Sequence, residues 1–137
     1  MADITVTAAN VVPGTTGAEF ENGTFGATVT AGQTVYLDSS TNTYKLADAN
    51  ASVYTANMRG IAMNGGASGQ KAVIQRKGRY TVGGTVVVGT IYVVSGTAGG
   101  IAPAADLVSG WYTGIVGIGV TAAIIDLQPN FGGVAVP

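Results

Sequence analysis

The chain has 137 residues, enough for one ordinary domain that buries roughly two-thirds of the surface its unfolded form would expose. Charged residues make up only 9% against about 25% in a typical domain, and the net charge of −1 excludes a strong general field for nucleic acid or an acidic membrane. With neither cysteine nor histidine, the chain has no disulfide framework, thiolate zinc site, cysteine nucleophile or imidazole base.

The first residues carry Asp3 and no basic side chain, so no secretory leader pattern is read and synthesis in the cytoplasm is expected. Residues 1–27 read as an N-terminal arm and first strand region. Their centre, Val11-Val12-Pro13-Gly14-Thr15-Thr16-Gly17, is rich in turn formers and poor in strand periodicity. From 28 to 127 the pattern is all-β. Segments rich in Val, Ile, Thr and Tyr at 28–37, 71–76, 79–82, 85–94 and 115–127 alternate with the turn signals Asn64-Gly65-Gly66, Gly83-Gly84 and Gly99-Gly100. Only residues 44–57, with their alanines, support a short helical turn. Residues 107–125 form an uncharged run of 19, nominally long enough to raise the question of a membrane span. Gly110, Gly114, Gly117 and Gly119 instead make it two short strands and a turn. Residues 128–137 read as a glycine-rich tail that frays or reaches to a neighbour.

An internal echo divides the core. Residues 28–32 with Tyr36, Ser39 and Thr41, then Ala47-Asp48 and Gly60-Ile61, recur about 57 residues later. The second copy is 85–89 with Tyr92, Ser95 and Thr97, then Ala105-Asp106 and Gly117-Ile118. Matching the tyrosines needs a one-residue gap near Gly32 and Gly89. Two half-repeats, about 28–64 and 85–120, are too few for a solenoid and imply two related hairpin units of one antiparallel sandwich or barrel. Tyr36 and Tyr92 are the paired aromatic core candidates.

The search for chemistry yields little. No serine sits in a Gly-x-Ser-x-Gly elbow. The only close carboxylate pair, Glu19 and Glu21, has strand spacing that does not place two acids across a cleft as a glycosidase requires. Asp48 and Asp106 read as turn caps, since no Asp-rich loop offers a calcium cage. Neither the phosphate-loop nor the dinucleotide fingerprint occurs. The glycines read as bulge and turn positions. The sequons at Asn22 and Asn50 carry no meaning without a secretory signal. No catalytic residue, cofactor or metal is expected.

Two features point to contact rather than catalysis. Lys71, Arg76, Lys77 and Arg79 place four of the six cations within nine residues beside Val73, Ile74 and Tyr80. They form either a charge-protected edge strand or a docking ridge for an acidic patch. A nucleic-acid role is disfavoured, because only Lys45 and Arg59 remain and no aromatic stripe accompanies them. Trp111 with Tyr112 is the best aromatic candidate for a contact hot spot.

The runs Ala31-Gly-Gln-Thr-Val-Tyr-Leu-Asp, Lys45-Leu-Ala-Asp, Gly60-Ile-Ala-Met-Asn-Gly, Gly69-Gln, and Tyr92-Val-Val-Ser-Gly-Thr-Ala-Gly-Gly-Ile-Ala-Pro-Ala-Ala-Asp-Leu-Val-Ser-Gly-Trp-Tyr resemble small head decoration, or cement, proteins of tailed bacteriophages. The likeness spans roughly residues 3–127 and consists of turn and strand-edge residues, so no site residue is transferred by it. It implies a virion protein made in the bacterial cytoplasm that sits outside an icosahedral capsid, commonly as a homotrimer, and clamps the major capsid protein. A neutral surface suits that task. The competing readings are a head-fibre or tail adhesin binding host glycans, and a carbohydrate hydrolase resting on Asp and Glu alone.

Overall fold

The computed structural model describes residues 3–15 and 17–137; Met1, Ala2 and Thr16 of the expected N-terminal region lie outside the described residues. The chain is all-β and antiparallel. Among the described residues nine strands, β1 (Glu19–Thr24), β2 (Thr34–Asp38), β3 (Thr43–Leu46), β4 (Gly60–Ala62), β5 (Lys71–Thr81), β6 (Ile91–Val94), β7 (Ile101–Pro103), β8 (Tyr112–Gly119) and β9 (Ile124–Ala135), curl into a half-barrel. One four-residue helix, α1 (Val53–Ala56), lies within the span where a helical turn was allowed, started by a capping box between Ser52 and Thr55.

Sheet order runs β3-β2-β4-β5-β9-β8-β6-β7, with β1 on β5, and is symmetric about the β5–β9 pair. Each half is a hairpin whose first strand receives a third strand, which in turn receives a fourth. The registers repeat. Val35 faces Leu46 and Gly60, and 57 residues later Tyr92 faces Pro103 and Gly117. No gap is needed, which corrects the alignment of the tyrosines. Tyr92 corresponds to Val35 and is buried, whereas Tyr36 corresponds to Val93 and is half-buried. Two further tyrosines, Tyr44 and Tyr80, are buried in the core as Tyr92 is.

β5 joins the halves, and its sequence explains how. Ala72 and Ile74 alternate inward, then the ladder to β1 skips Arg76. Gly78 follows with φ +93°, a left-handed conformation that costs glycine little and most residues much. This bulge re-aims the strand. Residues up to Lys77 pair with β1 on one side and β4 on the other, and residues from Gly78 onward pair with β9. Two segments expected as separate strands, 71–76 and 79–82, are thus one bent strand. The carbonyls turned aside by the bend are collected by Gln75, which is fully buried. Its Nε2 lies 3.1, 3.3 and 3.1 Å from the oxygens of Lys77, Gly78 and Arg79, and its Oε1 accepts from the Gly14 N–H at 2.9 Å.

Two clusters fill the interior. The larger includes Ile61, Tyr80, Tyr92, Ile101, Ile125 and Leu127; the smaller includes Phe25, Val29, Val35, Tyr44 and Ile74. Truncating a buried Ile or Leu in such a core to Ala costs about 2–5 kcal/mol. The two end strands of the order, β3 and β7, are each met by irregular chain. Gly26 N donates to Tyr44 O on β3 at 2.8 Å, and Ile4 N donates to Ile101 O on β7 at 2.9 Å. The irregular N-terminal segment is therefore no free arm. Thr7 N bonds to Gly83 O, Val12 and Thr81 exchange backbone bonds, and Ile4 and Val6 pack on the larger cluster. Apolar residues between turn formers lay this segment over the sheet edge, where burial outweighs exposure to solvent.

The tail differs from expectation as well, because β9 runs on through residues 128–135 against β8. Backbone pairing overrides the weak strand propensity of Gly132 and Gly133. Strands at 28–37 and 85–94 are shorter than expected, beginning at Thr34 and Ile91. Gly32 and Gly89, both at positive φ, end turns just before them.

Replacing Gln75 with Leu should leave the bend carbonyls and the Gly14 N–H without their partner and lower unfolding free energy by about 2–4 kcal/mol in urea titrations. An unchanged midpoint would remove Gln75 from its role. Tyr80 is the converse case: its hydroxyl is buried with no hydrogen-bond partner among the described residues. Tyr80→Phe is therefore expected to be neutral or to stabilise by up to about 1 kcal/mol in the same titration.

Candidate functional site

Past the bend β9 takes the side of β5 opposite the run that leads from Val12 into β1, and a cleft of about 890 Å³ opens, lined by Arg59, Arg76, Lys77 and residues 128–131 of β9. Its apolar floor comes from the outward faces of β6, β8 and β9. Ile91 and Ile118 face each other across β6 and β8, and Ile115 and Phe131 continue the surface. A bulge at Val116, flanked by Gly117, turns this face of β8 toward the cleft. A Cβ at Gly117 would run into the Asp126 carbonyl of β9, so the close strand approach requires glycine there.

One wall is ionic. Arg59, just before β4, grips Glu21 of β1 with both arms: Nε to Oε2 at 3.0 Å and Nη2 to Oε1 at 2.9 Å. The Tyr44 hydroxyl also donates to Glu21 Oε2. Arg76 Nη1 stands 3.7 Å from Oε1, and Lys77 Nζ stands 3.9 Å from Glu19 Oε2, both beyond hydrogen-bond reach. The Arg59 hydrogen bonds, opposed by partial burial and aided by Tyr44, hold the Glu21 carboxyl down at about 2. Burial first, then the bond to Glu21, pushes the Tyr44 hydroxyl up to about 12. These groups are locked into β1–β3–β4 docking and are not poised for proton transfer near neutrality.

The sequence-predicted residues divide. Arg76 and Lys77 line the cleft; Lys71 and Arg79 do not. Lys71 pairs with Thr24 at the far end of β1, and Arg79 stands opposite Asp126 in the β5–β9 register. Trp111 is half-buried against the larger core cluster, its ring lying over Gly96, where a Cβ would strike it. Tyr112 is half-buried at the start of β8. Neither belongs to the cleft floor.

The other carboxylates serve local structure. Asp38 accepts from Lys45 Nζ at 2.7 Å and from Ser40, contacts that hold its carboxyl well below the ordinary range. Asp48 closes a turn by accepting from Asn50 N, as expected of a turn cap, and Asp106 ends the short turn Ala104–Asp106. Asp3 accepts from Ser95 Oγ at 2.8 Å beside a shallower cleft that Asp106 and Trp111 share. Among the described residues no group of three or more acidic side chains is placed to hold a metal ion.

The cleft floor itself escaped the sequence reading. Ile91 and Ile118 look like ordinary strand residues. Their signal was available in the half-repeat, because Gly60-Ile61 and Gly117-Ile118 match, yet Ile61 is buried and Ile118 is 46% exposed. No protein-family model matches the chain, and no curated protein matches it.

The Glu21 carboxylate is depressed from 4.5 to about 2, so its stabilising contribution is complete above about pH 4.5 and is lost as pH falls through about 2. Wild type should therefore exceed Glu21→Gln in stability by a constant margin from pH 5 to 7, and the margin should close between pH 4.5 and 2. Parallel pH–stability curves for the two proteins would contradict the assignment.

Proposed function

We propose that this chain is a structural virion protein that binds the outside of a tailed-phage capsid and stabilises the assembled shell, a decoration or cement subunit. The observation that carries the reading is a neighbourhood of bare apolar side chains on a charge-poor exterior. Val87 and Val88 are each 64% exposed, and the cross-strand pair Ile91 and Ile118 are 44% and 46% exposed. The loop bearing both valines is tied to β8 by bonds between Gly89 and Gly119 and between Gly119 and Thr90, which holds these side chains beside the cleft. Large exposed apolar areas mark surfaces that a partner covers.

The resemblance in the turn and strand-edge runs supplies the partner: the major capsid protein, engaged by a homotrimer. Such a subunit works without catalysis. It binds the assembled lattice in preference to unassembled shell protein and shifts the equilibrium by mass action, while several contacts per trimer add avidity. For the alternative reading, a glycan-binding adhesin, Trp111 and Tyr112 are the first residues to mutate; Trp111 lies over Gly96, and Tyr112 is half-buried at the start of β8.

The purified protein should sediment as an oligomer and co-sediment with mature empty heads that lack it. The decorated heads should withstand a higher temperature before releasing their contents. Val88→Asp with Ile118→Asp should weaken co-sedimentation by at least about tenfold, since each buries a carboxylate at the contact. Failure of the wild-type protein to bind such heads would overturn the proposal.

A further inference from the structure

β9 pairs with β5 only up to Leu127, opposite Gly78. Beyond that point β5 has bent away; Gln128 and Pro129 fall in a register shift of the β8 ladder, Asn130 and Phe131 pair with Ile115 and Gly114, and residues 128–131 have no backbone partner on the other side among the described residues. The end strands β3 and β7 each receive a backbone bond from irregular chain, at Tyr44 and Ile101. This stretch of edge is bare, and it borders the cleft, whose lining includes Gln128, Pro129, Asn130 and Phe131. Pro129 fits an edge that no strand of this chain occupies, because proline lacks the N–H that a central strand would use. Exposed edges are guarded by charge or by proline; no residue after Asp126 is charged, and Pro129 withholds a single N–H, so the pairing that a partner strand can make here uses the remaining backbone groups of residues 128–131.

The wall opposite supplies the second half of a recognition site. Arg59 and Tyr44 occupy the Glu21 carboxylate, so Arg76 and Lys77 make no side-chain hydrogen bond among the described residues while facing the cleft. Three cations stand against Glu19 and Glu21 at this end, leaving one positive charge in excess. The far carboxylate, Asp126, stands opposite Arg79.

We infer that the cleft binds one extended segment of the shell partner by β-augmentation on residues 128–131 of β9. An acidic side chain of that segment meets Arg76 and Lys77, and its apolar side chains rest on Ile91, Ile118 and Phe131. Backbone pairing gives such a site its affinity and the side-chain pockets give it register. The excess positive charge selects acidic over basic segments and speeds encounter at low salt. The identity of the partner as shell protein rests on the function proposed above; the chemistry of the segment rests on the cleft alone.

The test uses the full chain and a capped heptapeptide, Asp-Val-Thr-Val-Thr-Val-Thr, titrated at low salt and followed by amide NMR shifts. Saturable shifts are expected at residues 128–131 and at Arg76 and Ile118. The same peptide with Lys in place of Asp, and the same peptide N-methylated at alternate residues, should each bind about tenfold more weakly. A variant carrying Arg76→Gln and Lys77→Gln, with an unchanged melting temperature, should bind the Asp and Lys peptides alike. Absence of shifts at 128–131, or equal binding of the N-methylated peptide, would overturn the inference. Co-sedimentation separates the two claims. If wild type fails to bind empty heads, the function proposed above fails while the peptide result still decides the cleft. If wild type and the double variant bind heads equally, the function stands and the cleft is not its contact.

Discussion

Gln75 is fully buried where β5 bends, and the rest of the architecture depends on what it does there. A strand that bends turns carbonyls away from its neighbours, and buried carbonyls without partners cost more than ordinary hydrogen bonds contribute. Gln75 gathers three of them with one amide nitrogen and holds the N-terminal segment at Gly14 with its oxygen. Gly78 supplies the backbone conformation, and its Cβ position would meet Ala18 Cα and Gly17 O at 2.8 Å, so the wrapping segment and the bulge fit only together. With the bend in place, a single strand serves both halves, pairing with β1 and β4 before the bend and with β9 after it, and the cleft opens beside the bend.

The two halves are alike in pairing and unlike in use. A constant spacing of 57 residues between equivalent ladder pairs shows one hairpin-plus-third-strand plan carried out twice, and the register changes only where the fourth strand joins. In the first half the third strand, β4, is fully buried and short. In the second, β8 is longer, carries a bulge and presents Ile115 and Ile118 outward. A shared plan thus gives one half a closed core around Phe25 and Val35 and leaves the other with an open apolar face. With so few charges on the chain, that face has little beside it to keep it in water.

Much of this was legible in the sequence. The β-rich composition, the turn signals and the half-repeat led to an antiparallel, two-part all-β domain, and the four-residue helix fell inside the expected span. What stayed hidden was tertiary. Residues 71–76 and 79–82 read as two strands because Lys77-Gly78 looks like a turn, and only the buried Gln75 turns it into a bend. Tyr36 and Tyr92 invited alignment by residue type, whereas ladder register is set by the pleat and ignores letter identity. The basic cluster was visible but not its division, since Arg76 and Lys77 reach the cleft only because the bulge falls beside them. Trp111 was prominent for its rarity, and its packing over Gly96 could not be read from the neighbours in sequence. The Arg59–Glu21 clamp joins residues 38 positions apart and left no local signal.

Under the proposed function, the bend in β5 creates the face by which the subunit would cover its shell partner. A cryo-electron microscopy map of a particle carrying the protein tests it most directly, since it gives orientation and contact surface together. The account predicts that the cleft bounded by Arg76, Ile118 and Phe131 is turned to the shell, with an extended shell segment lying along residues 128–131 of β9. A map in which that cleft faces solvent, with the shell held by another surface, would contradict it.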